Sequence, residues 1–155
     1  WHDWVVVDCG CATERVTQAV IPHASTVLLV ATLALPAAQR AKQWVELLID
    51  TGVPSGKIVA VMNRCREDEV AYRRQLKSLL LCRVGAYLPD SPDLAREALI
   101  EGVPLVATQP RSTLAHGYAE LASSLSGQSV SASDRKPQGL FQSLQARFMG
   151  TRHAA

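Results

Sequence analysis

The chain has 155 residues, of which 48% are hydrophobic and 19% charged, enough for one domain with a core plus a tail, and no apolar run reaches the roughly 18 residues that span a bilayer. Aromatics are scarce at 5% and the apolar content is carried by Val, Leu and Ala, which disfavours a β-sandwich and suits a sheet covered by helices. The net charge of +2 is uneven: residues 1–127 hold 12 basic and 13 acidic side chains, residues 128–155 four and one, so the body lacks the basic excess that nonspecific nucleic-acid binding feeds on.

The first element expected is a strand at residues 4–7, a compact apolar run closed by Asp8. Residues 13–21 can form a short helix ended near Pro22, and residues 26–32 are a second strand with no polar alternation. Strands hydrophobic on both faces belong to parallel sheets covered by helices. Pro36 then stands where a first-turn proline belongs, and Ala37, Ala41, Trp44 and Leu48 recur at helical spacing up to Gly52, which makes Trp44 a core residue.

The alternation continues with a strand at 57–62 and a helix at 67–80, whose acidic start (Glu67, Asp68, Glu69) suits the positive end of the helix dipole. A strand at 83–88 follows, then a helix opened by the Ser91-Pro92 pair and closed before Gly102. Residues 104–107 read as a last strand or an extended pass, and Leu114, Tyr118, Leu121 and Leu125 mark a final helix that stops at Gly127. Alternating strands and helices with short connections predict an α/β fold with a doubly wound, mostly parallel sheet, whose ligands sit at the carboxyl ends of the strands.

Residues 1–127 thus form the folded part. Residues 128–138 (QSVSASDRKPQ) are a polar linker without buried periodicity. Residues 139–155 are a basic tail in which Leu140, Phe141, Leu144 and Phe148 share one helical face. That face could lie on a membrane surface, with Arg147 and Arg152 against anionic lipid, or dock on the domain or a partner. Nothing at the N-terminus reads as a signal peptide, so a cytoplasmic location is expected, with a peripheral place at the inner membrane or cell pole if the tail binds lipid.

The four cysteines, Cys9, Cys11, Cys65 and Cys82, have no framework spacing and are expected as thiols. Cys9-Gly10-Cys11 lacks the second ligand pair of a zinc site. His2, His23, His116 and His153 stand in four unrelated places and suggest no catalytic base. Arg73, Arg74 and Lys77 lie on one helix and read as a solvated face.

The strand ends carry the candidate chemistry. An aspartate closing an all-apolar strand just before a glycine, as Asp8 precedes Gly10, either positions Mg²⁺ through water beside a nucleotide's phosphates or caps the following loop. Asn63 has both a donor and an acceptor and can match an adenine edge, yet asparagine at a strand end is also a turn former. Arg64, Pro89 and Asp90 complete the set at the ends of the next strands.

Taken in order, four segments resemble the C-terminal half of the MinD/ParA family of deviant-Walker P-loop ATPases. "HDWVVVDCG" is similar to that family's Walker B strand, "ASTVLLVATLALPAAQRAKQWVELL" to the next strand and helix, "GKIVAVMNRC" to the strand ending in Asn-Arg, and "LPDSPDLAREALIEGVPL" to the loop, helix and Gly-x-Pro that follow. The resemblance covers about residues 2–126 and is strongest to the CpaE/TadZ proteins of Flp-type (tight adherence) pilus assembly, which are often polar-localised.

The resemblance implies Asp8 as the Walker B carboxylate and Mg²⁺ anchor through water, and Gly10 as part of the switch after it. It also implies Asn63, with Arg64 beside it, as an adenine contact, and Pro89 with Asp90 as the loop beside the base. It further implies ATP or ADP with Mg²⁺ in the parent protein, a homodimer, and the pilus assembly machinery as partner.

No G-x-x-x-x-G-K-[ST] occurs in the sequence, so the phosphate cradle and its lysine are missing and this chain alone should neither hydrolyse ATP nor hold nucleotide tightly. The P-loop strand is expected inside the sheet. Without it, its neighbours should show unpaired backbone and apolar surface that recruits a second copy or another polypeptide. Two other readings use the same fold: a non-catalytic polar scaffold, and a ParA-like partition protein. The dinucleotide fingerprint G-x-G-x-x-G and the paired acidic site of a receiver domain are both absent.

Overall fold

The computed structural model describes residues 3–10 and 19–127. Three of the expected strands form one parallel sheet, β1 (Val27–Ala31), β2 (Ile58–Cys65) and β3 (Arg83–Pro89), in the order β1-β2-β3. Helix α1 (Leu35–Asp50) connects β1 to β2, and α2 (Val70–Leu79), entered through a 3₁₀ turn at Glu67–Glu69, connects β2 to β3. Right-handed crossovers in one direction along a sheet place both helices on the same face. Ala38 and Ala41 of α1 and Leu76 of α2 accordingly pack with Ala60 and Met62 in one core cluster.

Residues Ile58 to Met62 are each at most 2% exposed, so β2 is buried on both faces, the property its unbroken apolar run predicted. Along α1 the buried stripe is Ala38, Ala41, Val45 and Leu48. Trp44, expected in the core, is only half-buried: the stripe is rotated by about one residue, which brings the small Ala38 and the compact Val45 against the sheet and leaves the indole at the margin.

The expected strand at residues 4–7 is a correction. These residues have no place in the ladder, and Trp4, Val5, Val6 and Val7 are 63%, 79%, 89% and 53% exposed. An apolar run becomes a strand only when neighbours supply hydrogen bonds and cover, and among the described residues none pairs with it. The outer edge of β1 is likewise unpaired among the described residues, and Leu28 (41%) and Val30 (61%) stand exposed there.

The β2–β3 ladder carries two bulges that cancel. Ala60 and Val61 are consecutive but oppose Val84 and Ala86, which leaves Gly85 as an extra residue in β3. Met62 and Cys65 then oppose Tyr87 and Pro89, which places one extra residue in β2 between them. Glycine inside a strand is a bulge former, and the first bulge lets Val84 and Tyr87 both pack on the helix-covered core.

A second compact unit begins at Ser91. It contains α3 (Pro92–Glu101), the short α4 (Leu105–Thr108) and α5 (Thr113–Ser126). Ser91 holds the N-cap position of α3 without a side-chain cap bond, while Gly102, at φ 66°, closes the helix in the left-handed conformation with Val103 N–H donating to Ala98 O at 3.2 Å. The last strand or extended pass expected at 104–107 is a second correction. Pro104 O accepts from Ala107 N–H at 2.8 Å, and Leu105 O accepts from Gln109 N–H at 2.8 Å. Pro104 presets the backbone for a turn of helix, and four apolar residues carry too little periodicity to reveal it.

For α5 the predicted stop at Gly127 operates as read, and the structure adds an N-cap that the sequence reading did not name. Ser112 Oγ accepts from Ala115 N–H at 3.2 Å, and Gly127, at φ 67°, ends the helix. No described helix is long and apolar enough to cross a membrane. Cys11, most of the expected helix at 13–21, the linker and the tail lie outside the described residues.

Candidate functional site

Strand β2 leaves the sheet through an unusual backbone. Arg64 has φ 53°, and it is the one non-glycine residue with positive φ among those described. A left-handed conformation costs an L-residue about 1–2 kcal/mol, so it persists only where the surroundings over-determine it. Here three bonds do so. Asn63 Oδ1 accepts from Arg64 N–H at 2.9 Å, the Cys65 thiol donates to Met62 O at 3.2 Å, and Asp90 N–H donates to Cys65 O at 3.0 Å.

The last of these ties the end of β3 to the end of β2. The ladder itself sets Cys65 opposite Pro89. Asn63, Arg64, Pro89 and Asp90, read from the sequence as separate candidates, are therefore neighbours at the carboxyl edge of the sheet. Asn63 and Pro89 are half-buried, and Arg64 and Asp90 are exposed. One lone pair of Asn63 Oδ1 is engaged locally, which leaves the amide N–H₂ and the second lone pair for a ligand.

Asp8 and Gly10 stand differently. Gly10 N–H donates to Asp8 Oδ1 at 2.8 Å, and Gly10 takes φ 60°. This is the loop-capping role, an Asx turn on a segment outside the ladder, and it joins the two residues to each other. Asp8 is exposed, so its second carboxylate oxygen is open to solvent. Among the described residues no group of three or more His, Cys, Asp or Glu side chains could hold a metal directly. A lone, solvated carboxylate suits Mg²⁺ bound through its water shell and does not suit a directly ligated ion.

The sequence reading missed one contact near the site. Arg73, assigned to a solvated helix face, is half-buried, with its guanidinium carbon 5.1 Å from the centroid of the Tyr87 ring. Tyr87 OH donates to Arg73 O at 3.4 Å. The available signal was Gly85: a bulge there turns Tyr87 toward α2.

Electrostatics follows burial. The Cys65 thiol is pushed up by burial, a rise that Arg73 opposes and Glu69 reinforces. Burial likewise raises Cys82, partly offset by a hydrogen bond to the Ala60 backbone, and raises Tyr87 against the pull of Arg73. The thiols are therefore held protonated at neutral pH and are poor nucleophiles. The groups at the strand ends are an amide, a guanidinium, a proline and a carboxylate, a set that can hold the polar edge of a flat ligand.

No family model matches the sequence, and no curated protein matches it. Solved structures do. A chain of the MinC:MinD cell division protein complex of Aquifex aeolicus superposes with TM-score 0.65 at 18% identity, over 77% of this chain and 50% of that one. The Pyrococcus furiosus cell division ATPase MinD gives TM-score 0.63 at 20% identity, over 81% of this chain and 52% of that one. A ParA family ATPase from Chlorobium tepidum TLS gives TM-score 0.59 at 21% identity, over 68% and 43%. These likenesses show the fold, that of MinD- and ParA-type P-loop ATPases. The chain spans about half the length of the structures it matches.

Proposed function

We propose that the chain is part of a nucleotide-dependent localisation switch of the MinD/ParA kind that serves Flp-type pilus assembly, working as a homodimer whose complete protein binds ATP or ADP with Mg²⁺. The observation that carries the reading is the tie between the ends of β2 and β3, which sets the strained Asn63-Arg64 step beside Pro89 and Asp90. In this reading Asn63 meets the adenine edge through its free amide N–H₂, while Pro89 and Asp90 border the base. Asp8 holds a water of the Mg²⁺ shell through the oxygen not used by Gly10.

Bound Mg²⁺ would neutralise phosphate charge. The residues of this chain orient the base and the water, and without a phosphate loop they do not complete a hydrolytic site, so the chain alone is not an ATPase. The likeness to a ParA family ATPase also supports a partition protein, but a body with 12 basic and 13 acidic side chains offers little to the DNA backbone.

The test is calorimetric titration of the complete native protein with ATP and Mg²⁺, beside the Asn63→Ala variant. Loss of one hydrogen bond is worth about 1 kcal/mol, or roughly fivefold in affinity. Equal binding by the two proteins removes Asn63 from the site. No binding by either favours a polar scaffold without catalysis. Counting pili in cells lacking the protein then separates the pilus role from partition.

A further inference from the structure

The second unit carries a groove that the switch reading does not use. It has a volume of ≈ 600 Å³ and is walled by Ala95 and Ala98 of α3, Val106 of α4, and Tyr118, Ala119 and Ala122 of α5. Its floor includes Leu105 and Leu114, 8% and 4% exposed. Beyond the wall, Leu99 (82%) and Ile100 (79%) stand on the same helix as Ala95 and Ala98 with their side chains in solvent.

Small-molecule sites combine apolar walls with a few convergent polar groups, and the one polar side-chain atom along this lining is the Tyr118 hydroxyl. Alanines on two facing helices leave room for large side chains brought in from outside. This is how an amphipathic segment seats in a groove.

We propose that the occupant is the chain's own tail, with Leu140, Phe141, Leu144 and Phe148 inserted between α3 and α5. Reach, charge and tethering support it. The groove residues Tyr118 to Ala122 lie within about 12 Å of the end of α5 at a rise of 1.5 Å per residue. Thirteen residue steps separate Gly127 from Leu140 and can bridge at most about 45 Å, so chain length permits the tail to reach back along the helix it follows.

In the described part of this unit, Asp93, Glu97, Glu101 and Glu120 outnumber Arg96 and Arg111, whereas residues 128–155 hold four basic side chains and one acidic. Arg96 is moreover engaged with Asp93 at 2.8 Å. The unit that carries the apolar groove is thus net acidic, opposite in sign to the basic segment with its apolar stripe. Tethering supplies an effective concentration in the millimolar range, so even weak docking is populated.

The test uses the full chain labelled at alanine methyl groups. The double variant Leu144→Glu/Phe148→Glu changes residues beyond the described ones, and its native circular dichroism is checked first. The proposal expects it to move the resonances of Ala95, Ala98, Ala119 and Ala122 and to raise the rate of tryptic cleavage after Arg147 at least tenfold. Ala122→Glu, checked for native circular dichroism, should expose the same bond; if it does not fold, the tail variant decides.

Unmoved alanine resonances overturn the proposal, as does a protected tail that ignores Ala122→Glu while that variant remains folded. Shifts that vanish on dilution assign the groove to a second copy and overturn docking within one chain. Alanine resonances that stay unmoved while the tail binds vesicles of anionic lipid assign it to a membrane surface.

Discussion

Asp90 N–H donates to the carbonyl of Cys65 at 3.0 Å, one residue beyond the last ladder pair between β2 and β3. The bond crosses from the loop after β3 to the residue that follows the left-handed Arg64. It fastens the end of β3 to the end of β2 beside the left-handed step.

If the surroundings hold Arg64 at φ 53°, shape matters there more than charge. Arg64→Gly should be neutral or stabilising by up to about 1 kcal/mol, because relief of strain is offset by the entropy of the unfolded chain. Arg64→Val should destabilise by about 1–2 kcal/mol, since a β-branched residue fits that region worst. Urea midpoints ordered Gly, Arg, Val from most to least stable bear this out; a Val variant as stable as the parent contradicts it.

Gly102 closes α3 at φ 66°, and a methyl group there would meet open space. The cost of Gly102→Ala is therefore backbone strain alone, about 1 kcal/mol. For a chain of this size that lowers the thermal midpoint by roughly 2–4 °C, a shift that scanning calorimetry resolves.

The Arg73–Tyr87 contact predicts a coupling energy. Arg73→Ala and Tyr87→Leu should each destabilise, and a double-mutant cycle should return about 0.5–1 kcal/mol of interaction. Tyr87→Phe keeps the ring and loses only a long 3.4 Å hydrogen bond, so it should cost less than either. A cycle that returns zero would assign Arg73 to the solvated face after all.

Cys65, Cys82 and Tyr87 all have folded-state pKa values raised by burial. A raised acid favours the fold while it is protonated in both states. That contribution is complete below the unfolded thiol value near 8.5 and is lost as pH climbs toward the folded values. The urea midpoint should hold steady from pH 7 to 8 and fall above about 8.5. A Cys65→Ala/Cys82→Ala variant should show a shallower alkaline decline, whatever its absolute stability.

The sheet and its crossover helices were legible because burial on both faces writes unbroken apolar runs, and helices write a 3.6-residue stripe. Residues 4–7 were misread because they carry the same composition as β2 without the neighbours that make it a strand. At the site, residue types at strand ends named Asn63, Arg64, Pro89 and Asp90, and the ladder brought them together. The backbone of Arg64 was not legible, since left-handed residues are usually Gly or Asn and nothing local announces an arginine. Arg73 was read by its charge, although its place depends on a bulge on another strand.

The two cancelling bulges also say where this sequence can change length over its descent. Gly85 is a supernumerary residue: its deletion would let Val84 and Ala86 follow each other opposite Ala60 and Val61, with every pair on either side kept. A deletion at Arg64 would instead straighten Asn63 into the strand and abolish the left-handed step. Lineages are thus free to lose one residue from β3 and bound to keep the one in β2, and gaps among homologues should be common at position 85 and absent at position 64.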